Sequence, residues 1–277
     1  MLDYSSDMTN MTNSNSLPSA QPDRPYTDLH NHLVPNVDDG ARSVAESLEC
    51  LISLAHDGVG RVVATPHLLL PRLATVAEVE RELDRHRRAF DALVTAVRTV
   101  EGLPELGLGQ EIWASRAEQI EPVLGCEGLG LADSPYLLVE FGFDLQGTHA
   151  DVIDAVLQGG RRIVIAHAER YHFPQGLDPI ETAAAWREAG SLLQVNTGSL
   201  TGRYEEANPG SQRLAWALVE ARLADVIASD HHGSRRGRGS PREAYEALAA
   251  AGRAAQAEEL MGVTPAGLLD GTFAPAE

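Results

Sequence analysis

The chain has 277 residues, 43% hydrophobic and 22% charged, which suits one large α/β domain with a buried core and excludes a disordered or fibrous protein. Its 40 acidic residues against 22 basic ones give a formal charge of −18, which argues against a nucleic-acid binder working through a basic face and against attraction to anionic lipid. Every basic residue is arginine, so a Schiff-base lysine and a phosphate-binding loop with its obligatory lysine are both excluded.

Residues 1–25 are rich in Ser, Asn, Pro and Met and lack both a basic and an apolar stretch, so they read as a disordered tail and not a signal peptide. From 26 to 277 no linker or composition shift divides the chain, and one domain is expected. Short apolar runs at 26–30, 61–65, 105–111, 136–140, 162–166, 192–195 and 225–228 read as parallel strands buried on both faces. Helical stretches separate or follow them at 43–57, 76–100, 115–124, 147–158, 179–189, 209–221 and 241–251. Ser43 with Glu46 forms a capping-box pattern, and Pro179, Pro209 and Pro241 suit first helical turns. Seven βα units predict a seven-stranded (β/α)7 barrel, with an open doubly wound sheet as the competing architecture.

Cys50 and Cys126 form no disulfide framework and no metal-binding pair. A cysteine phosphatase needs an arginine at the sixth following position, where this chain has His56 and Ala132. Both cysteines read as small buried hydrophobes. No apolar run approaches the roughly 20 residues that cross a bilayer, and a cytoplasmic protein without membrane insertion is expected.

The strand ends carry the chemistry. The first runs into His30 and His32, with Asp38 and Asp39 beyond; five of the other six end at His67, Glu111, Glu140, His167 and Asp230, the last followed by His231 and His232. In a parallel barrel the carboxyl ends of the strands converge on one face, so these residues would share a cavity. A lone histidine there is usually a satisfied polar residue, and a lone acid is often a helix N-cap. Ligand types at six of seven strand ends outweigh that explanation. His30 and His32, alternate residues on one strand face, can share a metal. His56 and His86 fall within helices and read as surface residues, His149 and His172 lie in loops, and His231 points away from His232.

The stretches "TDLHNHLVPNVDDGARS", "ATPH", "GQEI", "LLVEFG", "IAHAERY", "QVNTGSL" and "IASDHH" resemble the polymerase-and-histidinol-phosphatase superfamily. Within it they are most similar to bacterial protein-tyrosine phosphatases encoded with capsule and exopolysaccharide genes. The resemblance spans about residues 26–269 and implies a distorted seven-stranded βα barrel. It also implies three divalent ions, Mn²⁺ by family precedent, with Fe or Zn²⁺ compatible with the same mixed His/carboxylate ligands. By that resemblance His30, His32, Glu111 and Asp230 hold the first ion. Glu111 bridges to a second, held also by Glu140 and His167, and Asp38, His67 and His232 hold the third. Asp28 would accept the free N–H of a ligating imidazole.

Four carboxylates against three divalent ions leave such a cavity net positive inside an acidic protein, able to accept a phosphate dianion. Arg170 would clamp the phosphate bidentately. A second phosphate-binding arginine is expected in "GSRRGRG"; Gly237 occupies its place, leaving Arg236 and Arg238 as candidates. Leu68 stands where the family has an aromatic or basic residue at the pocket edge. The implied activity is hydrolysis of phosphotyrosine on a protein, a bacterial tyrosine kinase that controls polysaccharide export. The alternatives are a small-molecule phosphomonoesterase, for instance on histidinol phosphate, or a phosphodiesterase.

Overall fold

Nine short strands form, all paired in parallel, in the computed structural model, which describes residues 25–234 and 239–273. They are β1 (Tyr26–Asp28), β2 (Val59–Ala64), β3 (His67–Leu69), β4 (Glu105–Leu108), β5 (Glu111–Trp113), β6 (Tyr136–Glu140), β7 (Arg162–Ile165), β8 (Leu192–Asn196) and β9 (Val226–Ala228). β1, β8 and β9 are buried along their whole length, as strands covered on both faces must be.

Regular pairing divides them into a three-stranded sheet, β1–β2–β4, and a six-stranded sheet, β3–β5–β6–β7–β8–β9. Two expected strands are interrupted. Pro66, which has no N–H for a ladder, separates β2 from β3, and Gly109 and Gln110 separate β4 from β5. Gly109 N–H still donates to Ala64 O at 2.8 Å and Glu111 N–H to Pro66 O at 3.1 Å. Beyond β1 and β9, Asp230 N–H donates to His30 O and His32 N–H to His231 O, each at 2.8 Å. The expectation of a closed seven-stranded barrel is thus met in its coarser part, a parallel α/β domain, with regular pairing split between two sheets.

The helices start where their caps stand. Ser43 Oγ accepts Glu46 N–H ahead of helix Val44–His56, and Thr75 with Glu78 completes a capping box ahead of Val76–Val97. Asp178 and Ser240 cap Pro179–Glu188 and Pro241–Ala250, each with proline in its first turn. Pro209, by contrast, lies outside helix Ser211–Glu220, which begins after Gly210 with φ 88°. The stretch expected at 115–124 shortens to Ala117–Ile120 and a 3-10 turn, Glu121–Val123, because Pro122 interrupts the helical hydrogen bonds. Thr264–Asp270, unanticipated from sequence, carries Leu268 into the interior. No helix among the described residues is long and apolar enough to cross a membrane.

Two apolar clusters hold the fold together. The larger packs helices against strands. The smaller contains Leu29, just beyond β1, with Val63, Leu138, Val164, Leu192 and Val226 from strands of both sheets, which therefore face one another across it. Cys50 and Cys126 are both buried, as expected, and not disulfide-linked. The expected tail falls on residues 1–24, outside the described residues, and on Pro25.

Candidate metal centre

Strand alternation decides which side chains meet. Leu192, Gln194 and Asn196 share one face of β8, and Leu138 and Glu140 share one face of β6. In both strands the apolar residue joins the smaller cluster and the polar one lies nearer the carboxyl end. His167 and Asp230 follow β7 and β9 in the left-handed region, with φ 32° and 50°. Non-glycine residues adopt that conformation rarely, and it tends to cluster at functional sites.

Glu111 lies at the middle of the site. Its Oε1 is 3.3 Å from His30 Nε2 and 2.9 Å from His167 Nε2, and its Oε2 is 3.4 Å from His32 Nε2 and 2.7 Å from His67 Nδ1. Asp230 Oδ1 approaches His30 Nε2, His32 Nε2 and His232 Nδ1 at 3.3–3.4 Å. Glu140 Oε2 is 4.0 Å from His167 Nε2. Four overlapping groups bring ligand atoms within 4.8 Å of one another: His30/His32/Glu111, His30/His167/Asp230, His67/Glu111/Glu140 and His32/Asp39/His67/His232.

Hydrogen bonds on the far side of three imidazoles fix which nitrogen faces the cluster. His30 Nδ1–H donates to Gln194 Oε1 at 2.9 Å, His32 Nδ1–H to Asp38 Oδ2 at 2.8 Å, and His232 Nδ1–H to Asp230 O at 3.0 Å. Each leaves Nε2 as a lone-pair donor, the arrangement metal-binding histidines use. His30 Nε2, His32 Nε2, His67 Nδ1, His167 Nδ1 and Glu111 Oε2 are buried without a hydrogen bond. Buried polar atoms are ordinarily hydrogen-bonded, and four of these face one another, His167 instead turning its Nε2 to Glu111; the crowded set fits divalent cations of the Mn²⁺, Fe or Zn²⁺ type.

Electrostatics agree. Burial favours neutral His30 and His32, yet the surrounding carboxylates, Glu111 and Asp230 for the first and Asp38 above all for the second, raise both above the ordinary imidazole range. His67 is pushed up to about 10, where Glu111 outweighs burial. Burial would raise Glu111 and Asp230, but His30 and its neighbours hold both well below the usual carboxylate range. Glu140 rises to about 8, through burial first and Glu111 second. The pocket thus attracts positive charge, as protons or as metal ions.

A cavity of about 830 Å³ opens over these groups, walled by Trp113, Gly142, Phe143, Tyr204 and Arg170. Arg170 Nη1 donates to Asp230 Oδ2 at 2.7 Å, and its buried Nε has no hydrogen-bond partner. A guanidinium so placed can take a phosphate oxygen.

The sequence reading needs correction at several positions. Asp38 does not join His67 and His232; its carboxylate accepts His32 Nδ1–H and the backbone N–H groups of Gly40 and His67. Asp39 takes that place, its Oδ1 3.4 Å from His67 Nε2 and 3.5 Å from His232 Nε2. Asp28 accepts no imidazole proton but bonds Ser229 and Asn31, tying β1 to the end of β9. His86 is not a surface residue: it is fully buried, bonded to Gln110 Oε1 at 2.7 Å. Leu68 is buried in the core, away from the pocket edge. Arg236 and Arg238 lie outside the described residues. Missed altogether were Gln194 and Asn196, although two buried amides at alternate positions of the apolar strand "LLQVN" were a signal for a role beyond packing.

Fold and centre together define an α/β metal-dependent hydrolase. The chain matches the family described as capsular polysaccharide synthesis, CpsB/CapC, over residues 26–270, and belongs to it. It is 31% identical over 212 residues to the tyrosine-protein phosphatase YwqE of Bacillus subtilis (strain 168), covering 74% of this chain and 76% of that one. It is 26% identical over 236 residues to the tyrosine-protein phosphatase CpsB of Streptococcus pneumoniae, covering 84% and 93%. A solved structure from the pair YwqE of Bacillus subtilis and CpsB of Streptococcus pneumoniae, described as metal-dependent tyrosine phosphatases, superposes with TM-score 0.72 at 26% identity over 89% and 95% of the two chains. A beta-aspartyl dipeptidase from Fervidobacterium islandicum AW-1, 12% identical with TM-score 0.53 over 94% and 79%, shares the fold alone.

Proposed function

We propose that this chain is a metal-dependent protein-tyrosine phosphatase that hydrolyses phosphotyrosine on a bacterial tyrosine kinase governing polysaccharide synthesis. Membership of the CpsB/CapC family supports the setting, and the phosphatase relatives support the reaction. The observation that carries the reading is the crowding of His30 Nε2, His32 Nε2, His67 Nδ1 and Glu111 Oε2, buried and without hydrogen bonds, at a cavity that Arg170 also lines.

Three divalent ions, Mn²⁺ first, fit the donor set. His30, His32, Glu111 and Asp230 would hold one, Glu111, Glu140 and His167 a second, and Asp39, His67 and His232 a third. Such ions supply Lewis-acid stabilisation of phosphate charge and lower the pKa of water near neutrality. The chain's own groups do the rest. Arg170 receives the phosphate through its free donors, and Asp230 holds that guanidinium beside the cluster. Gln194, Asp38 and the Asp230 carbonyl keep three imidazoles in the tautomer that ligates. The bonds from Gly109 and Glu111 across the strand breaks support reading β2 with β3, and β4 with β5, as two interrupted strands of a distorted seven-stranded barrel. Two buried cysteines that are not disulfide-linked suit a cytoplasmic site of action.

The recessed centre favours a long phosphoaryl group, whose ester oxygen stands roughly 6 Å from Cα against about 2–3 Å for phosphoserine by side-chain geometry. Phenolate is also the better leaving group. The test compares kcat/KM on matched phosphotyrosine and phosphoserine peptides and on histidinol phosphate, before and after metal removal and Mn²⁺ return. Activity lost with metal, restored with Mn²⁺ and at least about tenfold higher on phosphotyrosine is expected. Equal rates on both peptides, or a higher value for histidinol phosphate, would replace this substrate with a small molecule.

A further inference from the structure

Arg170 is held from three directions. Its Cζ lies 4.8 Å from the ring centroid of Phe143 and 4.9 Å from that of Tyr204, while Nη1 donates to Asp230 Oδ2 at 2.7 Å. Phe143 follows β6, Tyr204 sits in the turn after helix Thr197–Leu200, and Asp230 follows β9, so three separate segments converge on one guanidinium. The rings fix the plane of the group through cation–π contact, and the carboxylate fixes its rotation within that plane. What is left over is an unpaired edge: Nε is buried without a partner.

The rings themselves are seated for this purpose. Gly198 packs flat against Tyr204, where a Cβ would lie 2.5 Å from Cε2, so only glycine lets the ring approach. Burial and then Asp230 push the Tyr204 phenol above its usual range, so it presents a neutral ring to the cation. Phe143 is 41% exposed, unusual for a large apolar side chain, and its ring covers Arg170 and stands 5.6 Å from that of His167.

We propose that Phe143 and Tyr204 are positioning residues for substrate phosphate, an aromatic clamp that sets the plane of the Arg170 guanidinium so that its free donors meet the phosphate oxygens. This rests on Arg170 as the phosphate-binding group. The clamp acts on binding and not on the metals: the groups around Glu111 and Asp230 are built from imidazoles and carboxylates.

The experiment uses the full Mn²⁺-loaded enzyme and its Tyr204→Phe, Tyr204→Ala, Phe143→Leu and Arg170→Ala variants, with each ring variant repeated in the Arg170→Ala background. KM and kcat on a phosphotyrosine peptide, Ki for inorganic phosphate, and metal content are measured. Tyr204→Ala and Phe143→Leu are expected to raise KM and phosphate Ki about three- to tenfold, the range of a partly buried cation–π contact, with kcat and metal content held. Tyr204→Phe, which keeps the ring, should retain wild-type values. In the Arg170→Ala background the ring changes should add nothing. Ring variants with wild-type Ki, a Tyr204→Phe loss as large as that of Tyr204→Ala, or a further rise in the absence of Arg170 would each overturn the clamp while leaving Arg170 in its role. An unchanged Ki in Arg170→Ala alone would overturn the role of Arg170, and the clamp with it.

Discussion

Asp230 joins the metal centre to Arg170 through a single carboxylate. Its Oδ2 receives Arg170 Nη1–H at 2.7 Å and Asn196 Nδ2–H at 2.9 Å, and its Oδ1 faces the Nε2 atoms of His30 and His32 at 3.4 and 3.3 Å. One side chain therefore sets the distance between the cation cluster and the phosphate-binding arginine. Asp230→Asn, similar in shape but uncharged, should lower metal stoichiometry and raise KM together, with kcat/KM falling at least about 100-fold, or ~2.7 kcal/mol. Metal analysis beside steady-state kinetics tests this; full metal content with an unchanged KM would contradict the linkage.

Asp38 and Asp39 should separate cleanly. Asp39 faces His67 and His232, so Asp39→Ala should remove one equivalent of bound metal. Asp38 supports His32 from behind, and outer partners of this kind typically change metal affinity about 10–100-fold without changing the count. Titration of metal-free protein with Mn²⁺ reads both. Loss of an equivalent in Asp38→Ala, with Asp39→Ala intact, would reverse the two roles.

Gln194 makes three bonds at once: Oε1 accepts His30 Nδ1–H at 2.9 Å and His167 N–H at 2.8 Å, and Nε2 donates to Asn196 Oδ1 at 2.7 Å. Gln194→Leu keeps the bulk and leaves His30 free to change tautomer. A drop of about 10–100-fold in metal affinity is expected. Because buried groups also lose partners, the melting temperature of the metal-free protein should fall too. Unchanged affinity would show that Gln194 matters for packing alone.

Stability of the metal-free protein should decline as pH rises from neutral. His67 has its pKa raised from 6.5 to about 10, so its contribution is complete below pH 6.5 and lost as pH climbs toward 10. Glu140, raised from 4.5 to about 8, keeps a proton that the unfolded chain has released, so it too opposes folding increasingly above pH 4.5. Metal binding displaces these protons, so the gain in melting temperature on adding Mn²⁺ should grow over the same interval. Thermal melts with and without Mn²⁺ between pH 6 and 9 measure it; a metal-free melting temperature that rises across that range would refute the assignment.

The ligand types were legible because βα alternation leaves each strand's last residues at one end of the domain, so His30, His32, His67, Glu111, Glu140, His167 and Asp230 could be picked out from position alone. The family resemblance added Arg170 and the sharing of Glu111 between ions. Pro66 and Gly109, which break two strands, were present in the text of the sequence, yet only the paired backbone shows that pairing continues across the breaks. The choice between Asp38 and Asp39 was out of reach. They are neighbours of identical type, and the His32 imidazole together with the His67 N–H, far along the chain from each other, draws Asp38 behind the site. His86 reads as a surface residue from helical position, but it lies on the buried face of helix Val76–Val97 with Val79, Leu83 and Leu93 and bonds Gln110 there. The ring clamp on Arg170 lies on segments that no periodicity connects. Composition and order along the chain determine what chemistry is possible, because residue type and strand position are local properties. Which atoms touch is decided by the tertiary structure, because contact energies act between side chains that only the fold brings within a few ångströms.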